Sequence, residues 1–333
     1  MDYTSIAHTG MEVSRISLGT WAIGGWMWGG TDEAESIRTI HAALDKGINF
    51  IDTAPVYGFG RSEEIVGKAV KEYGDRRNLV ISTKVGLEWT ADGQVFRNST
   101  RERIFKEIDD SLRRLQTDYI DIYYVHWPDP LVPFEETAEA MNKLLIDGKI
   151  RAIGVSNHDP EQMAAFREAA PIHLSQPPYN IFEREIEDDI QPYCRENGIA
   201  LMTYGALCRG MLSGKMSRDR KFEGDDLRQF DPKFKEPRFD QYLAAADRLA
   251  ELAENEYGKS LLALAVRWVL DQEVEIALWG ARRPDQMDPV DEVAGWTIDE
   301  EGKKRIDAIL EGTLEDPVGP EFMAPPGRDK KEV

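Results

Sequence analysis

The sequence predicts a parallel α/β protein whose strands close into a single-domain (β/α)8 TIM barrel. Three observations support this. Eight short apolar runs alternate with helical patterns along nearly the whole chain. The runs are rich in Ile, Val and Leu without strict polar alternation, as strands covered on both faces require. The first strand leads into "GTWAIGGWMWGG" (19–30), which has many glycines but no helix close behind it. An open doubly wound sheet would carry a G-x-G-x-x-G turn there and start a helix at once, so the barrel is the better reading.

The expected strands, in order, are ISLGTW (16–21), INFIDT (48–53), LVISTKV (79–85) and IDIYYVH (120–126). AIGVS (152–156), HLSQP (173–177), IALMTY (199–204) and EIALW (275–279) complete the set. Amphipathic helices are expected over 33–46, 101–115 and 134–147; the last sets Phe134, Ala138, Met141, Leu144 and Leu145 on one stripe. Thr31 or Asp32 starts the first, Asn98-Ser99-Thr100 the second, and Gly148 closes the third. Residues 1–12 read as a small hairpin. Segment 206–240 is one long irregular loop over the barrel mouth. The tail 313–333 carries Pro317, Pro320, Pro325 and Pro326 and cannot be helical throughout. No linker divides residues 1–333, so one domain is expected.

A net charge of −20, from 41 basic and 61 acidic side chains, disfavours nucleic acid as a partner. No signal peptide pattern opens the chain and no apolar run is long enough to span a bilayer. Two cysteines, Cys194 and Cys208, are too few for a disulfide framework. These features point to a cytoplasmic protein acting on a small molecule, as a monomer or weak homo-oligomer.

Chemistry in a barrel gathers at the C-terminal ends of its strands. By that rule Asp52 closes the second strand, Tyr57 lies in its loop, Lys84 ends the third and His126 the fourth. Each residue alone has an ordinary structural explanation; four ionisable groups at one end of three adjacent strands do not. A phenol with a reference pKa near 10 is a reluctant acid. A lysine ammonium about 4 Å away contributes at most ~4 kcal/mol to the phenolate at an effective dielectric of ~20. The expectation is that Asp52 keeps Lys84 charged, Lys84 lowers Tyr57 into general-acid range, and His126 orients a substrate oxygen. No His/Glu cluster has metal-ligand spacing, so no metal is expected.

The strings "GINFIDTAPVYGFGRSEEIVGKAV", "ISTKVG", "DYIDIYYVHWPD", "GKIRAIGVSN" and "SQPPYNIFERE" resemble the motifs of the aldo-keto reductases. With "YGALCRGMLSGK" and "DPVGPEFMAPP", the chain resembles the bacterial general-stress and glyceraldehyde-reductase branch most closely. The resemblance implies an NADP-dependent carbonyl reductase (alcohol dehydrogenase type) that reduces aldehydes and ketones reversibly with NADPH. It assigns Asp52, Tyr57, Lys84 and His126 as the catalytic tetrad, with Tyr57 as proton donor. Ser156, Asn157 and Gln176 match residues that hold the nicotinamide carboxamide, and Tyr204 matches the aromatic stacked on its ring. Thr20 and Trp21 complete that end of the cofactor site. Gly205, Ala206, Leu207, Cys208, Arg209 and Gly210, with Lys215, would offer backbone N–H groups and cations to the pyrophosphate. Gly280, Ala281, Arg282 and Gln286 would hold the 2′-phosphate end, where a planar, permanently charged guanidinium suits a phosphate monoester. One departure stands out: Val290 replaces an asparagine that contacts adenine in many relatives. Trp21, Trp26, Trp28, Trp89 and Trp127 are expected to wall the substrate pocket, and Cys208 to be a structural thiol. A second reading is a cofactor-sensing subunit with little turnover, as potassium-channel β subunits resemble the same family. Against it, no extension precedes the first strand.

Overall fold

The computed structural model describes residues 1–328; the last five residues of the expected tail lie outside the described residues. A hairpin, β1 (Tyr3–Ile6) and β2 (Met11–Ser14), opens the chain. The barrel follows: β3 (Ile16–Gly19), β4 (Phe50–Asp52), then β5 (Val80–Trp89), whose overhang pairs antiparallel with β6 (Val95–Asn98). β7 (Ile120–Val125), β8 (Ile150–Ser156), β9 (Leu174–Gln176), β10 (Ala200–Thr203) and β11 (Ile276–Gly280) complete it. All eight barrel strands are parallel, and because β4 pairs with both β3 and β5 while β11 pairs with β3, the sheet closes.

The single turn α1 (Trp21–Gly24) precedes α2 (Glu33–Asp45) and α3 (Arg61–Tyr73). α4 (Arg101–Leu115), α5 (Phe134–Ile146), α6 (Pro160–Arg167) and α7 (Ile190–Asn197) continue the outer ring. α8 (Arg238–Leu252), α9 (Leu261–Leu270) and α10 (Glu300–Glu311) end it. The starts are chemical. The Asp32 side chain accepts from Glu35 N, Thr100 from Arg103 N, and Asp159 forms a capping box with Gln162 ahead of Pro160.

Two apolar layers result. Ile51, Ile81, Tyr123 and Ile153 face the helices. Phe50, Val80, Ile122, Ala152, Leu174, Met202 and Leu278 fill the barrel, and Ile6, Met11 and Val13 of the hairpin plug its floor. Most strand boundaries fall within two residues of expectation, and three places differ for a structural reason. β3 stops at Gly19 because residues 21–24 turn into α1. β5 runs on to Trp89 because β6 gives its overhang a partner. The 206–240 connection is irregular but carries short 3-10 turns at Leu227–Gln229 and Pro232–Phe234 and a tight, partly left-handed run at Cys208–Ser213, and α8 begins at Arg238.

Gly154 packs on the Tyr124 ring so closely that a Cβ would lie 2.3 Å from it. Gly154→Ala must displace a fully buried ring, so we expect a loss of about 1–3 kcal/mol in denaturant unfolding; an unchanged midpoint and slope would contradict this packing.

Candidate active site

Inward-facing residues alternate along every barrel strand, and the last inward residue before each loop is polar or small. Phe50 then Asp52, Val80 then Ser82 and Lys84, and Leu174 then Gln176 follow one parity. Register sets the neighbours: Asp52 pairs with Ser82, and Lys84 with Tyr124. The Lys84 ammonium therefore sits inside the barrel, 0% exposed, 2.6 Å from Asp52 Oδ2. It also donates to Thr53 O (3.0 Å) and to the Tyr57 hydroxyl oxygen (3.3 Å). Ser82 Oγ (2.7 Å) and Gln176 Nε2 (3.0 Å) donate to Asp52 Oδ1, saturating the buried carboxylate. Tyr57 is carried by a turn pressed against α1. A Cβ on Gly58 would lie 2.2 Å from Gly24 O, and Gly58 has φ of +70°, so both sterics and backbone demand glycine. His126 meets the Tyr57 ring edge-on at 5.8 Å between centroids. All four tetrad residues are thus brought together.

The electrostatics correct one expectation. Burial, with the Asp52 charge adding to it, raises the Tyr57 phenol well above its ordinary value rather than lowering it. Burial lowers Lys84, while Asp52, by charge and hydrogen bond, and then Glu63 oppose that shift. Burial, reinforced by the Lys84 charge, lowers the His126 imidazole well below 6.5, which leaves it neutral. The Tyr57 oxygen accepts from an ammonium, so its own hydrogen is free to point elsewhere. A neutral phenol and a neutral imidazole at the mouth can both hydrogen-bond one substrate oxygen.

The expected cofactor residues are used in several ways. Ser156 Oγ donates to Gln176 O (2.7 Å), and Asn157 Nδ2 donates to His126 O (2.9 Å). The Tyr204 hydroxyl donates to Asn157 Oδ1 (2.9 Å), so Tyr204, Asn157 and His126 form one chain across β10, β8 and β7. Thr20 Oγ1 donates to Asp52 O (2.9 Å) and braces the end of β4. Trp21 stacks on Tyr57, with centroids 5.8 Å apart and planes 18° apart. Trp26, Trp89 and Trp127 pack beside Tyr57, while Trp28 lies under the Arg228 guanidinium. Gly205, Ala206, Leu207, Cys208, Arg209 and Gly210 follow Tyr204 as a tight loop, and Lys215 is exposed beyond it. Burial pushes the Cys208 thiol up to about 12. Arg209 is not a free cation: its buried guanidinium engages Glu183 and Asp231. Past Gly280 and Ala281, Gln286 Oε1 accepts from the backbone N–H of Arg282 (2.7 Å) and Arg283 (3.1 Å). Val290 is buried core.

Sequence reasoning missed Ser82 and Arg228. The parity of β5 identifies Ser82 as inward; nothing local identified Arg228, which reaches the mouth from the 206–240 loop. Arg282 is lowered first by burial, then by Arg228 and Arg283. Asp226 opposes those shifts and Arg220 adds to them. Arg228 is paired with Asp226 and Arg283 with Asp285, whereas Arg282 donates to the Trp28 carbonyl oxygen and is the guanidinium of this group best placed to meet an anion. The Tyr204 ring beside the amides of Asn157 and Gln176 at one end, and the Arg282 guanidinium at the other, fit a nicotinamide dinucleotide. Among the described residues, no group of three or more His, Cys, Asp or Glu could hold a metal ion, and no helix is long and apolar enough to cross a membrane.

A closed parallel barrel with a buried carboxylate–ammonium pair against a phenol at its mouth defines a barrel that can present a proton donor to a substrate oxygen. The chain belongs to the aldo/keto reductase family, which matches residues 15–311. It is 61% identical to aldo-keto reductase YhdN of Bacillus subtilis strain 168, over 99% of this chain and 100% of that protein. It is 37% identical to the NADH-specific methylglyoxal reductase of Escherichia coli K12, over 84% of this chain and 89% of that protein. Among solved structures, glycerol dehydrogenase AKR11B4 of Gluconobacter oxydans is 53% identical with a TM-score of 0.88, covering 97% of this chain and 99% of that chain. Aldo-keto reductases use nicotinamide cofactors.

Three histidines are held neutral chiefly by burial: His126, His173 and His158, the last pulled down to about 4. The unfolded chain binds their protons first, so stability should fall as pH drops from 6.5 towards 4. In His158→Gln the decline in denaturant midpoint should be shallower; an unaltered slope would contradict a neutral His158.

Proposed function

We propose that the protein reduces aldehydes and ketones to alcohols, reversibly, with NADPH as the preferred cofactor and Tyr57 as general acid. The observation that carries this reading is the hydrogen bond from Lys84 Nζ into the Tyr57 oxygen, with Lys84 itself held by Asp52. The bound dinucleotide supplies hydride to the carbonyl carbon. The chain's residues handle the oxygen. Tyr57 and neutral His126 hydrogen-bond the carbonyl oxygen and polarise it. Tyr57 then gives up its proton as alkoxide charge develops, and Lys84 stabilises the phenolate left behind. Asp52 neutralises that ammonium, so the barrel never holds an isolated cation.

The raised Tyr57 does not make a more acidic donor; it keeps the phenol protonated at neutral pH, so the assignment rests on the Lys84 contact. A phenol that keeps its proton at neutral pH is always loaded as a donor, and release is coupled to charge arriving on the substrate. Tyr204 is suited to stack on the nicotinamide, with Ser156, Asn157 and Gln176 near the carboxamide. Arg282, with Arg228 close by, suits a 2′-phosphate, which favours NADPH. The name of the Escherichia coli relative, NADH-specific, makes cofactor choice the property most in need of measurement. Half-buried Trp26, Trp89 and Trp127 line an apolar approach that suits varied small carbonyl compounds.

Steady-state assays with both dinucleotides should give the higher kcat/KM with NADPH, and Arg282→Met should erase most of the difference. Equal or better kcat/KM with NADH would overturn the phosphate assignment. Tyr57→Phe should lower kcat by roughly two orders of magnitude or more, within the usual range for losing a general acid, while fluorescence titration shows unchanged dinucleotide affinity. Near-native turnover in that variant would remove Tyr57 from the mechanism.

A further inference from the structure

The loop after β10 has an unusual backbone. Gly205 and Gly210 have positive φ, and between them so do two residues that bear side chains, Cys208 (44°) and Arg209 (54°). Consecutive left-handed non-glycine residues are unfavourable and persist only where the surroundings over-determine them. The surroundings here are ionic. Arg209 donates to both Glu183 oxygens, and its Nε lies 2.6 Å from Asp231 Oδ2 in an ion pair without hydrogen-bond alignment. Lys233 Nζ is 2.8 Å from Glu183 Oε1. Glu183 and Lys233 are fully enclosed side chains, and the four charges cancel. Burial pushes the Glu183 carboxyl up, but Arg209 and Lys233 more than reverse this and hold it below its usual range.

The cluster joins segments that share no sheet or helix. Glu183 belongs to the connection after β9, whose Asn180 donates to Gly205 O at 3.0 Å and so grips the start of the strained loop. Asp231 and Lys233 come from the long excursion. Lys233 Nζ also donates to Gly319 O (3.0 Å), and Phe322 lies against the Arg209 guanidinium at 5.5 Å. The tail continues to Pro325 and Pro326, whose carbonyls accept from Arg97, and Arg328 reaches buried Asp129 beyond Trp127.

We propose that Arg209 is a positioning residue: its buried ion pairs hold the 205–210 loop in a dinucleotide-accepting shape and couple that loop to the C-terminal tail. This rests on the reading of the site as a dinucleotide site. It differs from a phosphate-contacting arginine in what its loss does. Removing Arg209 should loosen both the loop and the tail in the protein without dinucleotide, where no phosphate is present to be missed.

The test uses the full-length protein, with hydrogen exchange of unliganded samples and NADPH titration at several salt concentrations. Arg209→Met should speed exchange in both 205–212 and 319–326. It should weaken NADPH by roughly ten- to a hundredfold, as a misplaced contact surface does. The salt dependence of affinity should stay as in the unaltered protein, because the number of phosphate contacts is unchanged; Arg282→Met should flatten it. Glu183→Gln supplies the independent arm, and the deciding one should Arg209→Met fail to fold. Positioning predicts the same loosening and weaker binding. A direct phosphate contact predicts equal or tighter binding, since the guanidinium is released. Native exchange in Arg209→Met with a flattened salt dependence, or tighter binding in Glu183→Gln, would overturn the proposal. Failure of the unaltered protein to bind either dinucleotide would instead overturn the functional reading, leaving the exchange result to judge the loop–tail coupling alone.

Discussion

An ammonium and a carboxylate, 2.6 Å apart and closed off from water inside the barrel, are the constraint around which this molecule is arranged. Neither charge is tolerable there alone. Removing one partner of a buried pair leaves the other stranded at a cost of about 3–5 kcal/mol, far more than an exposed pair is worth. The surrounding bonds fit that requirement. Ser82 and Gln176 take up one oxygen of Asp52, Lys84 the other, and the remaining ammonium protons go to Thr53 O and the Tyr57 oxygen. Tyr57 is thereby both the third partner that Lys84 needs and the only member that meets the mouth. The stability of the pair and the reactivity of the phenol depend on the same bonds.

The fold contributes through parity and closure. Parallel strands with a period of two place one inward side chain every second residue, and the registers align these side chains in layers. The lower layers are apolar, sealed beneath by Ile6, Met11 and Val13. The charged groups lie above them; the buried Ser17 lower down is satisfied by the Phe50 carbonyl oxygen. The ion pair therefore has packed hydrocarbon below it and a phenol, an imidazole and indoles above it. Behind the strand, Thr83 Oγ1 donates to Glu63, which is also engaged by Arg114; this second buried network fixes β5 from its helix side. The side chain between Ser82 and Lys84 is thus anchored on the opposite face, which limits how far Lys84 can turn.

Much of this arrangement was legible in the sequence, for a physical reason. A strand covered on both faces is an apolar run, so a charged residue at its end stands out: Asp52 after "INFI", Lys84 after "LVIST", His126 after "IDIYYV". Gln176, at the end of β9, and Tyr204, just after β10, are visible in the same way. What could not be read is whatever depends on loops meeting in space. Arg209 looks like a free cation beside glycines, yet Glu183 and Asp231, distant in sequence, absorb its charge. Arg228 sits in an irregular stretch with no period to expose it. The direction of the Tyr57 shift was also hidden: a pairwise estimate with Lys84 predicts a drop, whereas burial and the Asp52 charge dominate and raise it.

The central claim is that Asp52 keeps Lys84 charged in a dry barrel so that it can donate to the Tyr57 oxygen. NMR observation of the Lys84 side-chain nitrogen tests this without reference to turnover. In the unaltered protein the signal should be that of an ammonium at neutral pH, and in Asp52→Asn the proton should be lost at distinctly lower pH. A neutral Lys84 amine at neutral pH, or a titration that ignores the Asp52 substitution, would contradict the account.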